Sequence, residues 1–372
     1  MKFYMKQSVF DAALDRLRFL FDEFENIVVN HSGGKDSTII LHLAGIVAEE
    51  KGRLPLKVMF LDQEAEWESV IEHIREVSAM PWVEMRWLQV PFRIFNATSE
   101  QDQWLHAWDP EAPEWIRDKE PESIKENTYG TDRFAQLFLG FMEHEFNRQP
   151  GCSLAGVRTE ESPSRHASLT TQRTYKHITW GNKYNKRYGQ YTFYPIYDWT
   201  YKDVWKAIHD NGWPYCRLYD YMYAYGLPVN KMRVSSLTHE TGMHVLTYLQ
   251  EVEQETWNKI TRRMNGLSSV KHLERDWYIP KKLPWMFKDW REYRDHLLEN
   301  LITDPETQRK MRRQFDQYER LYLPQVHEQL WKTQVNAIIT NDYHGTKLAQ
   351  FDLRNGRFRR NSKYQTGEVK WT

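Results

Sequence analysis

Between residues 8 and 24 apolar side chains recur at helical spacing: Phe10, Leu14, Leu17, Phe21 and Phe24 share one face, so an amphipathic helix is expected there. Ile27 to Val29 then form a short apolar strand. A helix over about 37–50 follows it, apolar on most sides near its start, as suits a helix packed on a sheet. Leu56 to Leu61 reads as a second strand, 68–78 as a helix, Val83 to Val90 as a third strand, 132–147 as a helix, and Cys152 to Val157 as a fourth strand. Strands alternating with helices at this spacing predict an α/β fold with a mostly parallel sheet flanked by helices. Residues 97–130 break the pattern with Trp104, Trp108, Pro110, Pro113, Trp115 and Pro121, which predicts an irregular insertion; disordered segments are poor in Trp. Beyond about 240 the period is helical again, with Val245, Leu249 and Val252 in one stripe and Met311, Phe315, Tyr318 and Tyr322 in another. We therefore expect an α/β domain over 1–239, a helical C-terminal extension over 240–342 and a basic tail over 343–372.

Candidate chemistry begins where the first strand stops. His31-Ser32-Gly33-Gly34-Lys35-Asp36-Ser37 connects that strand directly to the next helix. Paired glycines let backbone amides converge without Cβ obstruction, and a helix N-terminus adds positive dipole, so phosphate is the expected occupant. A bare helix cap, with Asp36 or Ser37 satisfying free amides, would leave the glycine pair and Lys35 without a purpose. The spacing excludes a Walker P-loop. It resembles instead the PP-loop of the adenine nucleotide alpha-hydrolase, or N-type ATP pyrophosphatase, superfamily. Members of that superfamily bind ATP or an adenylated compound and act at the α-phosphate.

Composition narrows the setting more than the chemistry. A length of 372 residues suits a core domain plus an extension, and 40% hydrophobic residues are ample for a core. Lys+Arg and Asp+Glu both total 51, so overall charge does not point to a polyanion. There is no apolar run of membrane-spanning length, and Met1 to Gln7 lacks the apolar core of a signal peptide, so a cytoplasmic protein with no membrane partner is expected. The 2 cysteines, Cys152 and Cys216, exclude a disulfide framework and cannot by themselves ligate an iron–sulfur cluster.

Two later elements sharpen the resemblance. Gly156-Val157-Arg158 through Ser162 and Arg165 follows the fourth strand, and ligands of open α/β sheets lie beyond strand carboxyl ends. Arginine suits an anion there because its planar fork binds two oxygens at once, although Arg158 could equally pair with Glu160 or Glu161. Downstream stands Pro195-Ile196-Tyr197-Asp198-Trp199-Thr200-Tyr201-Lys202-Asp203-Val204-Trp205, where Asp198 or Thr200 would cap a helix over 201–211. Together with Leu218-Tyr219-Asp220, these motifs resemble the phosphoadenosine phosphosulfate (PAPS) reductase family over about residues 20–230. The resemblance implies that Ser32, Gly33, Gly34, Lys35, Asp36 and Ser37 hold phosphates, with Asp36 a Mg²⁺ partner. It further implies that Asp62 contacts the nucleoside, and that Gly156, Arg158 and Arg165 receive the far end of an ATP- or PAPS-like adenine nucleotide. Catalysis by Lys35, Asp36, Arg158 and Arg165 would be largely electrostatic.

The chain departs from the family at its nucleophile. PAPS reductases use a thiolate in a C-terminal Glu-Cys-Gly-Leu-His segment, and this chain has no cysteine after Cys216. Cys152, at the start of a strand, reads as a packing residue, and Cys216 as a loop thiol with no visible activating base. Adenylyl-transfer or pyrophosphatase chemistry on an unknown acceptor is the leading expectation. The alternatives are a nucleotide-sensing or nucleic-acid-binding partner, and a reductase using an external thiol. Cysteine-poor members of this kind look like partners of a ParB-like protein; self-association is left open. Residues 163–197 contain no acid but include Arg165, Arg173, Lys176, Lys183, Lys186 and Arg187 among Tyr175, Trp180, Tyr184, Tyr188, Tyr191 and Phe193. That stretch reads as a lid over the nucleotide, or as a stacking surface for nucleic acid with Lys183, Lys186 and Arg187 on its phosphates, and 180–184 as part of a hairpin.

Overall fold

The computed structural model describes residues 6–96, 104–234, 236–238, 249–264, 282–302, 304–339, 342 and 345–360. The chain divides into two compact units, Met1–Phe95 with Trp104–Arg263, and Asn96–Gln103 with Met264–Thr372. The first unit thus reaches Arg263, past the boundary at 239 drawn from the hydrophobic pattern.

The first unit is built on a sheet of β1 (Asn26–Asn30), β2 (Leu56–Leu61), β3 (Val83–Leu88), β6 (Gly151–Leu154), β7 (Gly181–Asn185) and β8 (Gln190–Phe193), in the order β3-β2-β1-β6-β8-β7. All pairs are parallel except the β7–β8 hairpin at one edge. Strands β4 (Phe92–Phe95) and β5 (Trp104–Ala107) pair separately and antiparallel, giving regular structure to part of the expected insertion; 97–103 lie outside the described residues. The chain runs from β1 outward to β2 and β3, then returns to place β6 on β1's other side. The crevice beyond the carboxyl ends of β1 and β6 is therefore a topological switch point, where open α/β sheets bind ligands.

Helices α1 (Val9–Glu23) and α2 (Lys35–Glu50) pack against each other and the sheet through Leu14, Leu17, Leu20 and Phe21 on one and Ile39, Ile40, Leu43 and Val47 on the other. Ser8 starts α1 by accepting the Asp11 amide at 3.1 Å. Helices α3 (Glu68–Ser78), α4 (Phe134–Glu145) and α5 (Pro163–Thr170) complete the crossovers. Helix α6 (Tyr201–Asn211) begins with a capping box between Thr200 and Asp203 and ends on Gly212 at φ 61°. Asp198 is not the cap. Both its oxygens pair with Arg16 of α1, at 2.8 and 2.7 Å, and Trp199 Nε1 donates to the Val9 carbonyl at 3.0 Å. The Asp-Trp-Thr run is thus scaffold, riveting α6 to α1.

After α7 (Leu218–Ala224), helix α8 (Gln254–Arg263) and Glu253 before it tie back to the start of α3 and to the loop after β2. Trp67, at the N-cap of α3, offers no side-chain cap. Glu253 replaces it, accepting the Glu68 and Ser69 amides at 2.8 and 3.0 Å. Arg263 donates to Glu64 at 2.8 Å. These contacts explain why the first unit extends beyond 239.

In the second unit, α9 (Trp290–Asn300), α10 (Pro305–Leu321), α11 (His327–Ile339) and α12 (Thr346–Asn355) bury Leu298, Met311, Phe315, Leu330 and Phe351. Arg294 is buried there against Glu319 and Gln334. Among the described residues no helix is long and apolar enough to cross a membrane.

Candidate functional site

The loop from β1 to α2 takes its shape from its glycines. Gly33 sits at φ 72°, and a Cβ there would come within 2.6 Å of Val70 Cγ1. Gly34 occupies the N-cap without a side chain to cap the helix, so the first-turn amides of Asp36 and Ser37 lack intrahelical carbonyl partners. Ser37 Oγ donates to the Gly34 carbonyl at 2.8 Å and accepts the Ser32 amide at 3.2 Å, closing the loop on itself. Beyond β6, a Cβ on Gly156 would lie 2.5 Å from the Asp36 carbonyl and 2.7 Å from the Ser37 nitrogen. Only glycine permits that approach, which brings the second motif onto the start of α2.

Around this junction is a cleft of about 430 Å³ lined by Ser32, Gly34, Lys35, Asp36, Ser37, Gly156, Arg158 and Arg165, with Glu160, Glu161, Tyr201, Tyr219, Asn230, Arg233 and Val234. Arg158, 5% exposed, donates from Nε to Asp36 Oδ1 at 2.5 Å and from NH1 to Glu160 Oε2 at 3.0 Å. Glu160 also accepts the Tyr201 amide at 2.7 Å, tying the arginine to the start of α6. Arg158 therefore lines the cleft and is paired there with acids, Glu160 among them as the sequence allowed. Arg165 pairs with Glu161. Lys35 is buried; its Nζ donates to the Met232 carbonyl at 3.1 Å and lies 3.4 Å from Asp36 Oδ2. Burial, more than any neighbour, lowers its pKa.

Sequence reasoning did not place Tyr219, Asn230 or Arg233 in the site. Tyr219 was visible as part of a family-like turn, and its role is local: its hydroxyl accepts the Lys35 amide at 3.0 Å while Lys35 Nζ stands 5.2 Å from its ring centroid. Burial, and then the charge of Asp36, push its phenol pKa up, so it stays a neutral donor and acceptor. Arg233 had no signal beyond being one cation among many, and it has no acidic partner among the described residues.

Asp62 is placed elsewhere than expected. It is fully buried at the end of β2 and does not line the cleft. Its oxygens accept from Trp87 Nε1 and Gln89 Nε2 at 3.0 Å each, from the Glu64 amide at 2.9 Å, and from Arg117. With every lone pair used by protein, it organises the insertion instead of reading a nucleoside. Beside it Glu66 is pushed up to about 8 by burial and by the Asp62 charge.

Cys216, read from the sequence as a loop thiol, is covered in the fold. It is 1% exposed, donates to the Ser69 carbonyl at 3.4 Å, and burial pushes its pKa up to about 12. Cys152 is buried in β6, where burial likewise raises its pKa. The basic aromatic stretch differs too. Lys183, Lys186 and Arg187 are exposed on the β7–β8 hairpin, but Trp180, Tyr191 and Phe193 point into the core, where Phe193 lies 5.6 Å from Phe24. Alternation along an edge hairpin sends one set of side chains inward, so 181–193 belongs to the sheet and its buried rings form no stacking platform.

Under the loop lies a group of neutral histidines. The His31 ring is 5.5 Å from His73, His73 Nε2 is 3.3 Å from Thr38 Oγ1, and His42 stacks on Trp213 at 4.8 Å. Burial lowers all three pKa values, His42 to about 4, and the His73 charge adds to the effect on His31 and His42. The unfolded chain takes up these protons near pH 6.5, the folded chain only well below it. Their stabilisation is therefore complete above about pH 6.5 and is lost as pH falls toward 4. The urea midpoint should fall across that window, and His42→Leu should remove about 2 kcal/mol of the loss. An unchanged pH profile in the variant would exclude His42 as a source.

A family model described as "Phosphoadenosine phosphosulfate reductase domain" matches residues 26–225. The uncharacterized protein YbdN of Escherichia coli strain K12 is 27% identical over 310 residues, covering 79% of this chain and 75% of that protein. Among solved structures, Candida glabrata FMN adenylyltransferase aligns with TM-score 0.36 and 16% identity over 59% of this chain. The chain spans 62% of that structure, less than two thirds of it. A Candida auris PAPS reductase in a phosphate complex aligns with TM-score 0.33 and 14% identity, covering 59% of this chain and 94% of that one.

Proposed function

Because the chain belongs to the phosphoadenosine phosphosulfate reductase domain family, we propose that its switch-point cleft binds ATP or a related adenine nucleotide by its phosphates and promotes cleavage at the α-phosphate. The observation that carries this reading is the junction itself: the uncapped start of α2 meets Gly156 in backbone contact, ringed by Lys35, Arg158, Arg165 and Arg233. Amides and cations fixed before the ligand arrives stabilise charge that builds on phosphate oxygens as a bond breaks.

Neither thiol supports the reductase step of the family, since both are buried and their pKa values are raised. The nucleophile in this reading is an oxygen of an acceptor. It attacks the α-phosphorus, the α–β bridging bond breaks, and pyrophosphate leaves with the electron pair. Mg²⁺ brought in with the nucleotide would meet Asp36, whose carboxylate is paired with Arg158 at one oxygen and stands 3.4 Å from Lys35 Nζ at the other. Such an ion is held by one or two carboxylates together with substrate phosphates and would add to the neutralisation of their charge. The four cations of the cleft would act beside it.

The test is to incubate the protein with α-labelled ATP and candidate acceptors. Label should appear in AMP or an adenylated product with matching pyrophosphate, and Lys35→Ala should abolish it. Tight binding without turnover would replace the enzyme reading by a nucleotide sensor. Sulfite released from PAPS in the presence of thioredoxin would instead restore the reductase reading with an external thiol.

A further inference from the structure

One face of the helical unit carries a charge pattern that the nucleotide cleft does not use. Helix α10 buries Met311 and Phe315 and leaves Arg309, Lys310, Arg313 and Arg320 exposed. At 1.5 Å per residue, Arg309 to Arg320 spans about 16 Å, with about 6 Å from Arg309 to Arg313 and about 10 Å from Arg313 to Arg320. The stripe continues across the chain: Arg360 N donates to the Leu321 carbonyl at 2.9 Å and Leu323 N to the Phe358 carbonyl at 3.1 Å, which sets exposed Arg357 and Arg360 beside the helix's last turn. A groove of about 340 Å³ between Arg313 and Arg320 is lined also by Asp316, Gln317 and Leu321.

The acids nearby are largely committed elsewhere. Glu319 is held by Arg294 and Arg291, Glu299 by Arg312, and Asp352 by Arg359. Glu306 and Asp316 remain on or beside the stripe, yet no ion pair joins Arg309, Lys310, Arg313, Arg320, Arg357 or Arg360 to an acid among the described residues. The row thus keeps an excess of positive charge over Glu306 and Asp316, which costs self-repulsion that a polyanion would relieve.

We infer that this face binds the phosphate backbone of duplex DNA, independently of the nucleotide site. The row extends about 16 Å along α10, long enough to meet several phosphates of a duplex, and it is mostly arginine, whose fork suits phosphate oxygens. A single strand is the weaker match, because the neighbouring rings serve the protein: Phe315 is buried and Tyr318 stacks on Tyr322 at 6.1 Å. Contacts of this kind read phosphates, so binding is independent of sequence and steeply dependent on salt.

The experiment is fluorescence anisotropy of a labelled 25-base-pair duplex against the full chain, from about 50 to 200 mM salt. Log affinity should fall with log salt at a slope of about −3 to −5, and Arg309→Ala, Arg313→Ala and Arg320→Ala together should cut affinity at least about tenfold and flatten the slope by two to three. Each single substitution, at an exposed position that folding does not need, should flatten it by about one. Lys183→Ala, Lys186→Ala and Arg187→Ala together, on the sheet's edge hairpin, should leave affinity within about twofold, and ATP binding should be unchanged in the α10 variants. Absence of duplex binding at 50 mM salt, loss through the hairpin variant alone, or tighter binding of the single strand than of the duplex would each overturn the inference.

Discussion

Replacing Arg158 by alanine is expected to weaken ATP binding at least about 30-fold, because truncating a buried, hydrogen-bonded charge costs 2 kcal/mol or more. The effect has two parts. The cation itself is lost from the cleft, and Asp36 and Glu160, which Arg158 joins at 2.5 and 3.0 Å, are left with less neutralisation beside an incoming phosphate. Arg158→Lys should fall between the two, since an ammonium keeps the charge but cannot contact Asp36 and Glu160 with separate edges of one plane. Calorimetric titration of the three proteins with ATP decides the matter. An alanine variant binding within threefold of the parent would place the phosphates elsewhere.

Asp62→Ala should destabilise the first unit by about 3–5 kcal/mol, because it leaves a buried partner charge uncompensated. Arg117, Trp87 Nε1 and Gln89 Nε2 would all lose their acceptor. The insertion should loosen with them, since Arg117 also donates to the Glu64 carbonyl at 2.6 Å. Urea unfolding measures the loss. At temperatures where the variant stays folded, its ATP affinity should remain within about threefold, because Asp62 does not line the cleft. A large drop in affinity with little loss of stability would restore Asp62 as a nucleoside contact.

Those two residues also mark how far the sequence could be read. Strands β1 to β3 and helices α1, α2, α3 and α6 were legible because their apolar periods are long and their caps local: Ser8 and Thr200 need nothing distant to do their work. The glycine loop and Arg158 could be placed beside one cleft because each directly follows a strand's carboxyl end, where open α/β sheets gather such loops. Asp62 was not, because its role depends on Arg117, 55 positions later, folding back onto it. The same holds for Glu253 on α3, a cap 185 residues from the amide it serves. In the hairpin, composition suggested an open basic surface, whereas β-strand alternation turned half its aromatic rings into core. Cys216 illustrates the converse error, a thiol in a loop that tertiary packing covers.

The lining of the cleft draws on residues 32–37 and 156–165 and also on Asn230, Arg233 and Val234. The first set is locked by backbone contact at Gly156 and lies within the matched stretch; the second follows residue 225, where that stretch ends. Change is therefore unequally tolerated around the cleft. A methyl group at Gly156 would displace the start of α2, so under the proposed function substitution there would disturb the phosphate end before any other part of the site. Asn230, Arg233 and Val234 lie outside the matched stretch, and substitutions among them would change the lining of the cleft without touching that backbone contact.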